Sequence, residues 1–219
     1  MKLHLGCGRY YLDGYTNIDY PAAEHTVQTG VKADMYCDVV TLEFDRASIE
    51  EIRLHHVFEH FPRPTALALI CRWRDWLKVG GILRLETPDL TGSVWLLTSP
   101  FLSYRKKQQV IRHLFGSHEA RWAVHWDGWY ARRFRRTLLS LGFEKPAFAF
   151  TKWGVLRNVD VTTRKTAALL GFQQYAAAVK ELLQECLITD AKEPNQITGS
   201  ENELLNVWMQ NWENVYTAK

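Results

Sequence analysis

Leu3-His4-Leu5-Gly6-Cys7-Gly8 and the segment Asn17-Ile18-Asp19, whose acid stands eleven residues beyond Gly8, decide the fold of this chain. The first stretch reads as a short buried strand running into a glycine turn. The second reads as a strand that ends in an acid. Glycine at positions 6 and 8 lets the backbone take positive φ and approach a ligand closely. An acid at the tip of the neighbouring strand can accept hydrogen bonds from a ribose diol. The two segments therefore point to a pocket for an adenosine-containing cofactor at the carboxyl edge of a parallel sheet. A dinucleotide fingerprint is excluded, because G-x-G-x-x-G needs a third glycine where Tyr11 stands and an acid about 20 residues on. A pyrophosphate would also need more bare backbone than Gly6 and Gly8 supply.

Further segments follow in order. Ala33 to Val39 reads as a third strand carrying the acid Asp38. Ile52 to Phe61 reads as a fourth strand running into His56-Val57-Phe58-Glu59-His60. Trp76-Leu77-Lys78-Val79-Gly80-Gly81 reads as a helix end and glycine turn that enters a fifth strand, left through Glu86-Thr87-Pro88-Asp89. Over residues 1–163 this set resembles the class I S-adenosylmethionine-dependent methyltransferases. Within them it is most similar to small methyltransferases associated with surface-glycan and secondary-metabolite pathways. The resemblance implies an α/β fold: a Rossmann-like, seven-stranded, mostly parallel sheet with an antiparallel last strand. It implies S-adenosylmethionine held along Gly6, Cys7, Gly8, Arg9, Asp19, Tyr20, Asp38, Val39 and His55. Asp19 takes the place of the ribose-binding acid, and Asp38 lies beside the adenine. The chain departs from the family in two places. Val79 stands where the family has proline. Arg9 to Tyr15 is only seven residues, whereas a parallel crossover usually needs a dozen or more. The first helix is therefore expected to shrink to a turn ending at Asp13-Gly14. In the family that helix end helps hold the methionine carboxylate. Arg9 either offsets its loss through a charge-assisted hydrogen bond or lies in solvent.

The chain has 219 residues, 47% of them apolar, which suits one domain of ordinary size with an appendage. A net charge of +3 is too small to imply nucleic acid by itself. No stretch is long and apolar enough for a membrane span, and no opening run resembles a signal peptide. Cys7, Cys37, Cys71 and Cys186 are scattered, with no C-x-x-C pair. They read as buried free thiols in a reducing compartment, so the expected location is cytoplasmic.

The expected organisation is a methyltransferase domain over 1–163, with a substrate-side insertion over 89–126, and a helical appendage over 164–219. Ala66, Leu69, Ile70, Trp73, Trp76 and Leu77 recur at helical spacing and predict one buried stripe between the fourth and fifth strands, with Gly80-Gly81 ending that helix. Helices are predicted near Tyr104 to Phe115 and Trp129 to Leu141. An antiparallel strand pair is predicted over Lys145 to Thr151 and Gly154 to Thr163. The appendage reads as two amphipathic helices in a hairpin, one carrying Phe172, Tyr175, Val179 and Leu183, the other Leu205, Trp208, Trp212 and Tyr216. A polar loop from Glu193 to Gly199 separates them, and Ser200 to Glu203 reads as a capping box. The hairpin could pack on the domain, lid the pocket or form a homodimer contact.

Two clusters carry candidate chemistry. His55-His56 with Glu59 and His60 could face the substrate, fix a loop, or bind a divalent ion if residues 56–60 are helical and place both histidines on one face; no metal is assigned. His118-Glu119 and His125-Trp126-Asp127 form the second cluster. His125 is the first choice of catalytic base, with Asp127 as a residue that could orient it, and His56 is the second choice. Trp95, Trp122, Trp126 and Trp129 could wall a sugar ring or planar acceptor, or belong to the core. The basic run of Arg132, Arg133, Arg135 and Arg136, with Arg105, Lys106 and Lys107, could hold phosphate or RNA, or form a solvated face. The activity expected is methylation of an oxygen on a small molecule or glycan precursor, such as a sugar, phenol or natural-product intermediate. The alternatives are an RNA or protein methyltransferase using the basic helix, and a scaffold that has kept the fold without the chemistry.

Overall fold

The computed structural model describes residues 1–27, 30–188 and 199–218. Seven strands form one sheet: β1 (Lys2–Leu5), β2 (Thr16–Asp19), β3 (Met35–Tyr36), β4 (Ile49–His55), β5 (Leu77–Pro88), β6 (Ala147–Trp153) and β7 (Leu156–Arg164). Their spatial order is β3-β2-β1-β4-β5-β7-β6. All pairs from β3 to β5 are parallel, while β7 runs antiparallel to both its neighbours. Six strands thus share one direction and β7 is reversed, as expected. The apolar residues of the central strands, Leu3, Leu5, Ile52, Leu54, Leu83 and Leu85, are buried, as a parallel sheet covered on both faces requires.

The first crossover has no helix. Residues 6–15 turn back through short backbone bonds, Tyr10 N to Cys7 O at 2.9 Å and Tyr15 N to Leu12 O at 3.3 Å. Asn17 replaces the missing helix as an organiser. Its side chain is fully buried. Its Oδ1 accepts from Leu12 N at 2.9 Å, and its Nδ2 donates to the carbonyls of Leu12 at 3.0 Å and Tyr15 at 3.1 Å. Its backbone N donates to Asp34 Oδ2 at 2.8 Å, which ties in the approach to β3. β3 is shorter than its predicted span: it is an edge strand with both residues exposed, held to β2 at its two ends by the bonds from Asp34 N to Asn17 O and from Cys37 N to Asp19 O, each 2.8 Å.

Helix α1 (Arg63–Trp76) joins β4 to β5 and opens on Pro64 in its first turn, where a missing N–H costs nothing. Its predicted stripe is buried, but so are Leu67, Ala68 and Cys71. The helix is enclosed on both sides because the C-terminal helices α5 (Phe172–Gln184) and α6 (Ser200–Thr217) pack on the face turned away from the sheet. Gly80-Gly81 does not cap α1. The helix ends at Trp76, and the two glycines lie within β5, where the pairing with β4 shifts between Ile49 and Glu51. Gly80 takes φ 76°, and a glycine inside a strand commonly marks such an irregularity.

Helices α2 (Leu90–Thr98), α3 (Tyr104–Phe115) and α4 (Ala131–Ser140) complete the chain. α2 was not anticipated; it begins where the Asp89 carboxylate accepts from Gly92 N at 2.9 Å. In the C-terminal part, Ser200 lies inside α6 instead of capping it, and Gly199 holds the cap position without a side-chain bond. Of the predicted polar loop, residues 193–198 lie outside the described residues. The two helices pack into the domain's own core: Tyr175, Val179, Leu183, Leu205 and Trp212 belong to the same buried cluster as the sheet residues. Asp75 near the end of α1 accepts from the hydroxyls of Tyr175 and Tyr216, each at 3.0 Å, and pairs with Arg46 at 2.8 Å. The four cysteines are free, but Cys186 is exposed and Cys37 only half-buried, so the expectation of four buried thiols is corrected. Among the described residues no helix is long and apolar enough to cross a membrane.

Replacing Asn17 by alanine leaves the Leu12 amide and two carbonyls without their partner. Urea denaturation is expected to show a loss of about 3 kcal/mol, against a few tenths for a surface asparagine.

Candidate functional site

A cleft of about 1460 Å³ opens at the carboxyl edges of β1, β2 and β4. The glycine turn forms its floor. Gly6 and Gly8 take φ 66° and 54°, conformations that favour glycine. A Cβ on Gly6 would come within 2.2 Å of Val57 Cγ2, so position 6 is closed to side chains by packing as well as by φ. Gly8 N donates to Asp19 Oδ2 at 2.5 Å, so the acid at the tip of β2 shapes the turn beyond β1. Asp19 Oδ1 accepts from Tyr20 N at 2.7 Å and from His25 Nε2 at 3.1 Å. A carboxylate has about four acceptor positions, and three are taken here. Asp38 caps the 3-10 turn Val39–Thr41 by accepting from Val40 N at 2.9 Å.

Every cofactor-side residue picked out from the sequence, Gly6, Cys7, Gly8, Arg9, Asp19, Tyr20, Asp38, Val39 and His55, lines this cleft, together with His56 and His125. Arg9 is exposed. His55 Nε2 accepts from Arg53 Nε at 2.6 Å. Burial, reinforced by the Arg53 charge, pushes its pKa down to about 4.

At the other end of the cleft the chemistry gathers on Glu59. The segment after β4 is not an α-helix. His56 takes φ 53°, its amide bonds to Glu86 O at 2.9 Å, and Phe58–His60 form a single 3-10 turn. His56 and His60 therefore do not share a helical face. His56 Nδ1 donates to Glu59 Oε1 at 3.0 Å, and its Nε2 lies 3.4 Å from Glu86 Oε1. Burial opposes charge on His56, but the two carboxylates outweigh it and raise the pKa to about 9. His56 is thus held as a cation and has no free lone pair at neutral pH, which removes it as a base. Burial likewise opposes charge on Glu59, whose side chain is 2% exposed, yet His56 keeps its carboxyl below the usual range.

The insertion closes this end. His125 N donates to Phe115 O at 3.1 Å and Trp126 N to Glu59 O at 2.9 Å. These bonds bring the His125 ring to 4.6 Å from that of His60 and its Nε2 to 4.0 Å from Glu59 Oε1. Burial drives the His125 pKa down to about 4, against the pull of Glu59, so the ring is neutral. Asp127 does not orient it. That carboxylate is taken by Arg133 at 2.6 Å and Arg63 at 3.3 Å. His118 is exposed and bonds back to Phe115 O.

The expected tryptophan wall is largely dispersed. Trp129 is core, stacked on Phe134. Trp95 and Trp126 are 75% and 63% exposed. Trp122 does line the cleft, and its Nε1 donates to Glu24 O at 2.7 Å. Trp153, at the end of β6, also lines it, with its ring 4.5 Å from that of His56. Neither Trp153 nor His25 stands in a motif, and only the fold brings them to the cleft. The basic helix α4 is mostly committed. Arg133 pairs with Asp127 and covers the Trp129 ring at 4.1 Å, Arg135 lies over Phe148, and Arg136 pairs with Glu181 and Glu185.

Removing His56 would strand the buried Glu59 charge. His56→Ala is expected to cost about 3–5 kcal/mol in chemical denaturation. Glu59→Gln in the same chain should recover much of that loss, whereas additive losses would show that the pair is not coupled.

No family model matches the sequence, and no curated protein matches it significantly. Among solved structures, the chain is similar to a SAM-dependent methyltransferase from Methanosarcina mazei, with a TM-score of 0.51 and 16% identity over 76% of this chain and 92% of that one. It is also similar to a SAM-dependent methyltransferase from Archaeoglobus fulgidus, with a TM-score of 0.50 and 11% identity over 75% and 85% of the two chains. At such identities the likeness is one of fold, and the fold is that of the class I S-adenosylmethionine-dependent methyltransferases.

Proposed function

We propose that this chain is an S-adenosylmethionine-dependent methyltransferase that methylates an oxygen of a small molecule or glycan precursor. The observation that carries the reading is the convergence, in one cleft, of the Gly6-Cys7-Gly8 turn with the acids of two neighbouring strand ends, Asp19 and Asp38. Adenosine presents donors at its ribose hydroxyls and exocyclic amine, and the cleft presents carboxylate acceptors on that side. Asp19 would take the ribose, Asp38 the adenine edge, and Tyr20, Val39 and His55 would line the remainder. Arg9, at the mouth of the glycine turn, is the cation available to the methionine carboxylate where the fold lacks its usual helix. When bound, S-adenosylmethionine supplies a methyl group on a positively charged sulfur, already activated for in-line displacement.

The residues' task is then alignment, worth up to ~7–11 kcal/mol in favourable intramolecular analogues, and an acceptor hydroxyl must also give up its proton. His125 is the residue we place against the acceptor oxygen. It lines the cleft at the end opposite the two acids, and its neutral ring offers a lone pair there. The aromatic sides supplied by Trp122 and Trp153 suit a sugar ring or a phenol. Nucleic acid is less well served, since three of the four arginines on α4 are already engaged.

Titration calorimetry with S-adenosylhomocysteine tests both ends of the cleft. Asp19→Ala should lose about 1.5–3 kcal/mol of binding. His125→Ala should keep that affinity while turnover of a phenol or sugar-nucleotide acceptor falls roughly a hundredfold or more. Normal turnover by His125→Ala would place the acceptor elsewhere.

A further inference from the structure

We propose that Glu59, His60 and His125 form a two-histidine, one-carboxylate site for a divalent transition-metal ion, with its open positions facing the acceptor end of the cleft. One donor atom from each residue lies within 4.8 Å of the others. His60 and His125 both line the cleft, so an ion held by the three would be reachable from it.

Each residue carries an atom that its present bonds leave unused. Glu59 Oε1 accepts from His56, but Oε2 is buried and among the described residues has no hydrogen-bond partner. A buried carboxylate oxygen left bare is costly, and an ion would satisfy it. His60 donates from Nδ1 to Val124 O at 3.2 Å. A carbonyl only accepts, so Nδ1 carries a proton and Nε2 is the nitrogen left to meet an ion. A ring nitrogen fixed by a backbone carbonyl is the usual way a metal-binding histidine is oriented. His125 turns Nε2 toward the carboxylate, 4.0 Å from Glu59 Oε1, and its main chain is anchored by the bond from its N to Phe115 O. His56 Nδ1 donates to Glu59 Oε1, and its other nitrogen lies 3.4 Å from Glu86 Oε1. It orients the carboxylate as an outer partner rather than a ligand.

Two imidazoles and one carboxylate suit zinc or a similar first-row ion and leave room for water or substrate. The hard-cation sites of calcium and magnesium are built from oxygen instead. Ligand distances near 2.0–2.2 Å require the three side chains to draw in around the ion. The proposed role rests on the methyltransferase reading, although the binding does not. A bound ion would coordinate the acceptor oxygen and lower the pKa of its hydroxyl. The proton would leave to water, the oxygen lone pair would form the new O–CH3 bond, and the S–CH3 electron pair would return to sulfur.

The full-length chain should be titrated with Co2+, read by its visible d–d absorption, and with Zn2+, read by calorimetry. The expected result is one ion per chain. His60→Ala and His125→Ala should each lower affinity roughly tenfold or more while retaining the wild-type far-UV spectrum and S-adenosylhomocysteine binding. Asp19→Ala should bind the ion normally. Absence of stoichiometric binding, or binding unchanged in both histidine variants, would overturn the site and leave the methyltransferase reading intact. Ion binding without S-adenosylhomocysteine binding would uphold the site and remove the reading.

Discussion

A buried carboxylate is the constraint around which the histidine-lined end of the cleft is arranged. Glu59 sits on a 3-10 turn where β4 leaves the sheet, with its side chain almost wholly removed from water. An ion so placed must be paired and hydrogen-bonded or it will neutralise. His56 supplies the pairing, and to do so its backbone enters the left-handed region. His56 in turn engages Glu86 at the end of β5. The backbone carbonyl of Glu59 accepts from Trp126 and so fastens the insertion that carries His125. Removing one charge from the centre would disturb two strand ends, a loop and the closure of the cleft together.

The glycine-turn end of the cleft follows a different logic, in which neutral backbone does most of the positioning. Gly6 and Gly8 bring bare peptide groups to the cleft floor, and Asp19 holds them there through the amide of Gly8. Because the chain omits the first crossover helix, rigidity has to come from side chains, and Asn17 provides it from below. The two ends share a wall, the turn after β4, whose Val57 packs against Gly6 while Glu59 faces the histidines. A shift of that turn would be felt at both ends.

Much of this was legible in the sequence because it rested on local chemistry. The strand and glycine turn at Leu3 to Gly8, the shortened crossover, the strand pair at β6 and β7, and the helix at Tyr104 to Phe115 each carry their own signal in period, punctuation or length. The misreadings lie where tertiary context overrides spacing. His56 and His60 have the interval of a helical turn, but the chain spends one of those residues on a left-handed bend. Gly80-Gly81 looks like a helix stop, yet the extra residues are absorbed inside β5. Asp127 is two residues from His125, but Arg63 and Arg133 lie closer in space. α2 escaped notice because its apolar residues do not make one face; Val94 and Trp95 are exposed while Ser93 is buried. The cluster of Glu59, His60 and His125 joins residues 66 positions apart in sequence, and no local pattern connects them.

The packing of α6 into the central core has a consequence for biosynthesis. Leu205 and Trp212 are as buried as the central strands, and Tyr216 reaches back to Asp75 on α1. During translation the strands through β7 emerge long before these residues do. At about 5–20 residues per second, the apolar outer side of α1 waits several seconds for its cover. A domain in which a helix that follows all seven strands seals the middle layer cannot complete its core strand by strand. In that interval it exposes the kind of surface that chaperones bind.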